Sequence, residues 1–339
     1  MRAIVQQRYG PYADVLALRE IPTPIVGPGQ VLVAVRATSV HADVWHAVQG
    51  IPYVMRMMGS GVRCPKQRIP GTDLAGEVVA VGPGAHRFVV GDRVYGEITR
   101  GANLWTNGGA FAEFVAVNEG LLMKFPDHLS FEEAAAVPTA AMIALTNLRD
   151  SGQVRAGQRV LVNGAGGAVG VWAVQLAQAF GAQVTAVDAP AKLDLLRGLG
   201  ADTVIDYTQQ DFTQGGVRYD VVFDIVSQMP FRQVRHALQP DGTFVLIGHD
   251  QYGQSGHRVF GSLTRMFPLL AISPVVKQIP PIRSGPPRAE NLATITELLA
   301  NRKIRPVVDD QTFPLEQVVP AMDHLTSGTA KGRVVLTVS

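Results

Sequence analysis

The fold is decided by RVLVNGAGGAVGVWAVQLAQAFGAQVTAVD, residues 159–188. Arg159 to Val162 is a short apolar run that reads as a buried strand, and Asn163 to Gly170 is a tight turn with glycines at 164, 166, 167 and 170. Val169, Trp172, Ala173, Leu176, Ala177 and Phe180 then recur on one face at helical spacing. Gly181 is the stop that helices commonly take past their last turn. Gln183 to Val187 reads as a second strand closed by Asp188, which lies 22 residues beyond Gly166 (188 minus 166). Glycines let backbone N–H groups approach a pyrophosphate, and a helix N-terminus carries partial positive charge. An acid ending the second strand accepts from a ribose hydroxyl. A glycine turn alone is a weak signal. With strand, helix and acid around it, it points to a dinucleotide site rather than to an ordinary tight turn. The residues of that site are Asn163, Gly164, Ala165, Gly166, Gly167, Ala168, Val169, Gly170 and Asp188, joined by Gly248.

Downstream, strands at 203–205, 220–224 and 243–247 alternate with helices ending near Gly200 and Pro240-Asp241-Gly242. This alternation implies a parallel sheet with right-handed crossovers. A sixth strand is expected between Val275 and Ile282, where prolines disfavour a central position. Glu290 to Asn301 and Leu315 to Thr326 read as amphipathic helices, and Val334 to Val338 as a final strand. Upstream, residues 1–125 are β-rich, with strands at Val31–Val35, Glu77–Val81, Arg93–Tyr95 and Phe111–Val117 separated by glycine and proline turns. Strands at this spacing suggest a small barrel. Val54 to Arg68 interrupts them and reads as a long, basic, Met-rich loop. Such a loop suits a substrate entrance, with Arg56, Arg63, Lys66 and Arg68 for an anionic tail and Met55, Met57 and Met58 for adaptable contact; a solvated basic loop is the alternative. Ser130 to Glu133 has the form of a capping box, and a further helix is expected from Thr139 to Arg149.

At 339 residues, 47% hydrophobic and 17% charged, the chain suits two domains with substantial cores. Its net charge of +2 argues against nucleic acid or an anionic membrane surface as main partner. The longest apolar run, Ala134 to Leu145, is too short to span a bilayer, and MRAIVQQRYG offers no apolar signal segment. Cys64 is the one cysteine, so neither a disulfide framework nor a multi-cysteine zinc site is possible within the chain. The expectation is a soluble cytoplasmic protein.

Pro70-Gly71-Thr72-Asp73-Leu74-Ala75-Gly76-Glu77-Val78, Gly91-Asp92-Arg93-Val94, the 163–170 turn and the tail Gly332-Arg333-Val334-Val335-Leu336 together resemble the zinc-free, quinone oxidoreductase-like branch of the medium-chain dehydrogenase/reductase superfamily. The resemblance covers essentially the whole chain. It implies an α/β protein of two parts. A GroES-like β-barrel catalytic domain would be formed by residues 1–125 and 286–339. A Rossmann doubly wound parallel sheet would occupy 126–285. Zinc relatives carry a Cys, a His-Glu pair and a second Cys at the catalytic metal; the matching positions here resemble Val40, Thr72-Asp73 and Pro138–Ala141. None offers a thiolate or imidazole. The four-cysteine lobe of those relatives is missing between Glu97 and Gly109. His41, His46 and Asp43 form a cluster that suits satisfied polar side chains better than a metal, so no metal is expected.

Without a Lewis acid, a nicotinamide enzyme needs an acceptor that spreads negative charge onto oxygen by itself, as a quinone or an α,β-unsaturated carbonyl does. Relatives carry a tyrosine near the substrate after the 41–50 segment, which makes Tyr53 the candidate proton donor; a packing tyrosine is the alternative. Asp43 and His46, three apart, form a candidate supporting pair. Relatives also place a threonine close to the nicotinamide where this chain has Ile143. The expected activity is NAD(P)H-dependent reduction of a small quinone or enone. A zinc-independent alcohol or aldehyde dehydrogenase and a cofactor-binding protein with little turnover are the alternatives.

The cofactor signals conflict. Asp188 favours the 2′-hydroxyl of NADH, whereas Lys192 and Tyr207 match the residues that quinone reductase relatives place around the 2′-phosphate of NADPH. The alternatives are a solvated Lys192 on the first turn of a helix and a packing Tyr207. NADH is favoured on the ground that an acid at the strand end acts at hydrogen-bond range whereas a lysine on a flexible stem swings away, with dual use next. The resemblance also implies a homodimer through the nucleotide domain near Ile272–Ile282.

Overall fold

The computed structural model describes the chain except residues 100–105, 249–251, 253–257, 262 and 282–284 and the side chains at 58 and 59. The N-terminal region holds β1 (Arg2–Gln6), α1 (Tyr12–Val15), β2 (Leu16–Glu20), β3 (Gln30–Val40), α2 (Ala42–Gln49) and α3 (Tyr53–Met55). β4 (Asp73–Val81), β5 (Arg93–Glu97), β6 (Phe114–Asn118), β7 (Leu122–Lys124), α4 (Phe131–Ala135) and α5 (Pro138–Thr146) follow. The alternating region comprises β8 (Arg159–Asn163), α6 (Gly170–Ala179), β9 (Gln183–Asp188), α7 (Leu193–Gly198), β10 (Thr203–Asp206), β11 (Tyr219–Asp224), α8 (Phe231–Val234), β12 (Leu238–Leu246) and α9 (Leu263–Ile272). The tail contributes α10 (Arg288–Ala300), β13 (Phe313–Pro314), α11 (Val318–Thr326) and β14 (Val334–Thr337).

The chain divides into two compact units: residues 1–139, 288–300 and 306–339, and residues 140–287 with 301–305. The first unit therefore runs past the boundary expected at residue 125, because α4 packs on β3 and β4. Its main sheet has the order β13-β14-β3-β4-β5-β7, with β6 also paired to β3, so residues from both ends of the sequence share one sheet. β3 is its spine: Val31, Val33 and Val35 alternate into the core. Ser130 accepts from the Glu133 N–H at 3.1 Å and Glu133 accepts from the Ser130 N–H at 2.8 Å, so the expected capping box starts α4.

The second unit is a five-stranded sheet, β10-β9-β8-β11-β12, with all neighbours parallel. Leu161, Val222, Val187 and Phe244 lie in its core. The connection order reverses between β8 and β11, and ligands of such sheets bind outside the strand C-termini at that reversal. Asn163 and Asp224 are register partners there.

Three local expectations fail. Residues 275–281 form no strand: Val275 and Val276 N–H groups return to the Ile272 carbonyl at 3.0 and 2.9 Å, and Ile279 returns to Val276 at 3.0 Å. Only Gln278 meets the edge of β12, accepting from the Phe244 N–H at 2.7 Å. Ile282 lies outside the described residues. The helix expected to end near Pro240-Asp241-Gly242 ends at Ala237, and those three residues do not stop it but run within β12, where pairing with β11 shifts register. The 54–68 segment is not all loop: α3 passes into a wide helical turn over Arg56–Ser60. Arg56 organises it, stacking over the Tyr9 and Tyr53 rings at 4.4 and 4.6 Å and donating from Nε to the Gly50 carbonyl at 2.7 Å.

Candidate active site

The glycine turn is built on local constraints that differ from glycine to glycine. Gly164 has φ +84°, and a Cβ there would lie 2.9 Å from Val226 Cγ2. A Cβ at Gly170 would meet the Gly164 and Ala165 carbonyl oxygens at 2.2 and 2.5 Å, so α6 can start this close to the turn only from glycine. A Cβ at Gly167 would find nothing nearer than the Gly164 oxygen at 3.6 Å. This is the face left open to a ligand, as a pyrophosphate approach requires. Val187 anchors the turn by accepting from Gly164 and Ala165 at 3.0 and 3.1 Å. The residues present thus fit a bound dinucleotide. Gly248, just past β12, has φ +80° and open space around it.

Asp188 ends β9, as the spacing predicts, but its carboxylate is already engaged. Oδ2 accepts from the Gly166 N–H at 2.7 Å and Oδ1 from the Ala189 N–H at 2.8 Å. Lys192 Nζ lies 3.9 Å from Oδ1. Both side chains are buried. The lysine stem packs on Gly166, where an added Cβ would come within 2.6 Å of Cδ and 2.9 Å of Cβ. The picture of Lys192 as a solvated or freely swinging residue is therefore wrong: its aliphatic stem covers the turn while its charge stays beside Asp188. Tyr207 follows β10, which lies beside β9. It is 60% exposed, so the packing role considered for it does not hold.

At the sheet reversal, Asp224 Oδ1 accepts from Asn163 Nδ2 at 2.8 Å and from the Ser227 N–H at 3.0 Å. Burial pushes the Asp224 carboxyl above its ordinary value. Ser227 adopts φ +58°, an uncommon conformation for serine, and its carbonyl accepts from Arg265 of α9.

In the other unit, Asp43 and His46 lie on α2. His46 Nδ1 donates to the Ile51 carbonyl at 2.7 Å, and Asp43 Oδ2 lies 3.8 Å from His41 Nδ1. Tyr53 opens α3, its ring 39% exposed and covered on one face by Arg56. Among the described residues no three His, Cys, Asp or Glu side chains converge as a metal-binding group.

The same unit holds a buried polar cluster that no local sequence pattern joins. Asp73 is fully buried at the start of β4, and its carboxylate accepts from Arg333, Ser39 and Thr139. Arg333 Nε also donates to Ser39 Oγ at 3.0 Å. His41 Nε2 lies 2.8 Å from Thr72 Oγ1, and burial, with the Arg333 charge nearby, holds the imidazole well below its ordinary pKa. Across the sheet, burial pushes the Glu97 carboxyl up to about 7 despite Arg288 at 3.1 Å and a hydrogen bond from Thr99 at 2.9 Å. One sequence signal pointed here: Arg333 leads into the apolar run Val334–Val335–Leu336, and arginine is rarely buried unless paired.

Comparison with known proteins agrees with both halves of this architecture. A model of the alcohol dehydrogenase GroES-like domain matches residues 27–127, and a zinc-binding dehydrogenase model matches residues 199–336. The chain is 29% identical to a chloroplast envelope quinone oxidoreductase homolog of Arabidopsis thaliana, over 99% of this chain and 98% of the relative. It is 33% identical to a chloroplastic NADPH-dependent alkenal/one oxidoreductase of the same plant, over 99% of this chain and 79% of the relative. A crystal structure of an NAD-dependent alcohol dehydrogenase superposes with a TM-score of 0.82 at 29% identity, covering all of both chains. A GroES-like sheet, a parallel sheet with a dinucleotide turn at its reversal, and likeness to these relatives over 99% or more of this chain have one common account: the chain belongs to the quinone oxidoreductase-like branch of the medium-chain dehydrogenase/reductase superfamily.

Proposed function

We propose that this oxidoreductase uses NAD(P)H to reduce the conjugated double bond of a small quinone or α,β-unsaturated carbonyl, without zinc. The observation that carries the reading is the engagement of Asp73. At the position where zinc relatives place their His-Glu pair, this chain has Thr72, bonded to His41, and Asp73, bonded to Arg333, Ser39 and Thr139. Neither side chain is disposed to hold a metal that would polarise an isolated carbonyl. A conjugated acceptor needs less help, because charge arriving at its far carbon spreads onto oxygen.

The bound nicotinamide supplies the hydride. The glycine turn holds the pyrophosphate through the open face at Gly167 and the N-terminus of α6. Tyr53 is the candidate donor to the oxygen on which charge develops, its ring held by Arg56. Asp43 and His46 support the α2 segment that leads to it. NADH and NADPH stand side by side, since the ground for favouring NADH, a mobile Lys192, does not hold. The compared proteins include one named NADPH-dependent and one named NAD-dependent.

No helix of the described residues is long and apolar enough to cross a membrane. We place the protein in the cytoplasm, where the exposed Cys64 thiol would stay reduced. A homodimer formed through the nucleotide-binding unit accounts for the exposed apolar residues Phe267, Ile272 and Val275. Light scattering at micromolar concentration is expected to give twice the chain mass, and a monomeric mass contradicts the pairing. For activity, the test is oxidation of NADH and NADPH against quinones, enals and enones, with and without a chelator. Chelator-insensitive turnover with these acceptors is expected. Turnover only of alcohols with the oxidised cofactor would favour the alcohol dehydrogenase alternative, and tight cofactor binding with no turnover the binding-protein alternative.

A further inference from the structure

The geometry around Gly166 points to a role for Asp188 and Lys192 different from choosing between cofactors. In the usual account the acid at the end of the second strand waits for a ribose hydroxyl. Here both of its oxygens accept backbone N–H groups: Gly166 at 2.7 Å and Ala189 at 2.8 Å. The first of these amides belongs to the pyrophosphate turn itself. A bond from a buried carboxylate to a backbone amide is charge-assisted and stronger than a neutral one. It therefore fixes the direction of the Ala165–Gly166 peptide plane, one residue before Gly167, the open approach.

Lys192 completes the arrangement from the other side. Its stem lies against Gly166, its Nζ is 3.9 Å from Asp188, and it is as buried as Asp188, each at 8% exposure. The ammonium partly compensates the Asp188 charge that a dinucleotide would otherwise meet at this corner of the sheet.

We infer that Asp188 and Lys192 are a positioning pair for the pyrophosphate turn, setting affinity for the part that NADH and NADPH share rather than selecting one of them. The inference rests on the reading that the chain binds a nicotinamide dinucleotide, but not on the acceptor it reduces.

The test is direct binding of NADH, NADPH and ADP-ribose to the full chain, followed by calorimetry or nucleotide fluorescence, so no turnover is needed. Asp188→Ala is expected to weaken all three by roughly tenfold or more, the scale of losing one charge-assisted hydrogen bond, with the NADH-to-NADPH ratio within about threefold of wild type. Lys192→Met should weaken all three in the same pattern. Gly166→Ala keeps both charges but forces the lysine stem off the turn, and should do likewise. Amide hydrogen exchange at Gly166 should be slow in wild type and fast in Asp188→Ala, and thermal unfolding confirms that each variant is folded. Loss of NADH binding with NADPH binding kept or improved in Asp188→Ala would make Asp188 a ribose selector and overturn the inference. So would a Lys192→Met variant that loses NADPH alone. A wild-type chain that binds none of the three would overturn both this inference and the cofactor reading, whereas binding without reduction of any acceptor would fault only the proposed reaction.

Discussion

Among single residues, Gly167 and Glu97 make the sharpest predictions. Gly167 is the turn glycine with room beside it. Gly167→Glu would fill that space with a carboxylate facing the pyrophosphate, and dinucleotide binding is expected to disappear while the fold survives. Unchanged affinity in a titration of the folded variant would mean the ligand lies elsewhere. Glu97 tests the buried cluster through pH. Its carboxyl rises from an ordinary 4.5 to about 7 on folding because burial disfavours the charged form. Between those values the folded chain holds a proton that the unfolded chain has released, so stability falls as pH climbs through the window and levels off above it. Glu97→Gln removes this dependence. Its stability relative to wild type should grow across the window by an amount on the order of 3 kcal/mol, and parallel pH profiles in urea unfolding would contradict the assignment. These two residues also mark how far sequence reads at this scale. Gly167 is legible because turn, helix and acid lie within one short stretch. Glu97 and Asp73 are buried beside Arg288 and Arg333, partners more than 150 residues away in the chain, which no local pattern connects.

Among elements, periodicity and caps were the reliable signals. The strands at 159, 183, 203 and 220 appear within a residue of their expected starts, and Ser130 and Glu133 cap α4. Legibility failed where tertiary partners override local chemistry. Prolines and valines near 275 suggested an edge strand, but the N–H groups there close turns on Ile272 and Val276 instead. Basic and Met-rich composition suggested a loop at 54–68, but Arg56 finds Tyr9, Tyr53 and the Gly50 carbonyl and winds the segment into helical turns. Arg56→Met should therefore cost stability of about 2 kcal/mol, from two cation–π contacts and two hydrogen bonds, to the Gly50 and Gln49 carbonyls. It should also lower turnover more than cofactor affinity, because it releases Tyr53. Urea midpoints and cofactor titrations check both parts, and wild-type stability would show that Arg56 merely covers the surface.

On the scale of the whole molecule the chain forms two units: one holds the glycine turn at the reversal of a parallel sheet, and the other holds Tyr53 on α3 and, separately, a buried cluster of Asp73, Arg333, Ser39 and Thr139. The sequence showed this division because its two halves differ in pattern, short strands with glycine turns against alternating strand and helix. It also showed that thiolates were missing, but not that Asp73 had been taken up by an arginine. The proposed reaction delivers hydride to the far end of a conjugated system rather than to a carbonyl carbon. It is tested most directly by offering an enone together with NADH or NADPH deuterated on the transferring carbon and locating the label in the product. A saturated ketone with deuterium on the former β-carbon, formed equally well with a chelator present, is expected. An allylic alcohol with deuterium on the former carbonyl carbon would contradict it.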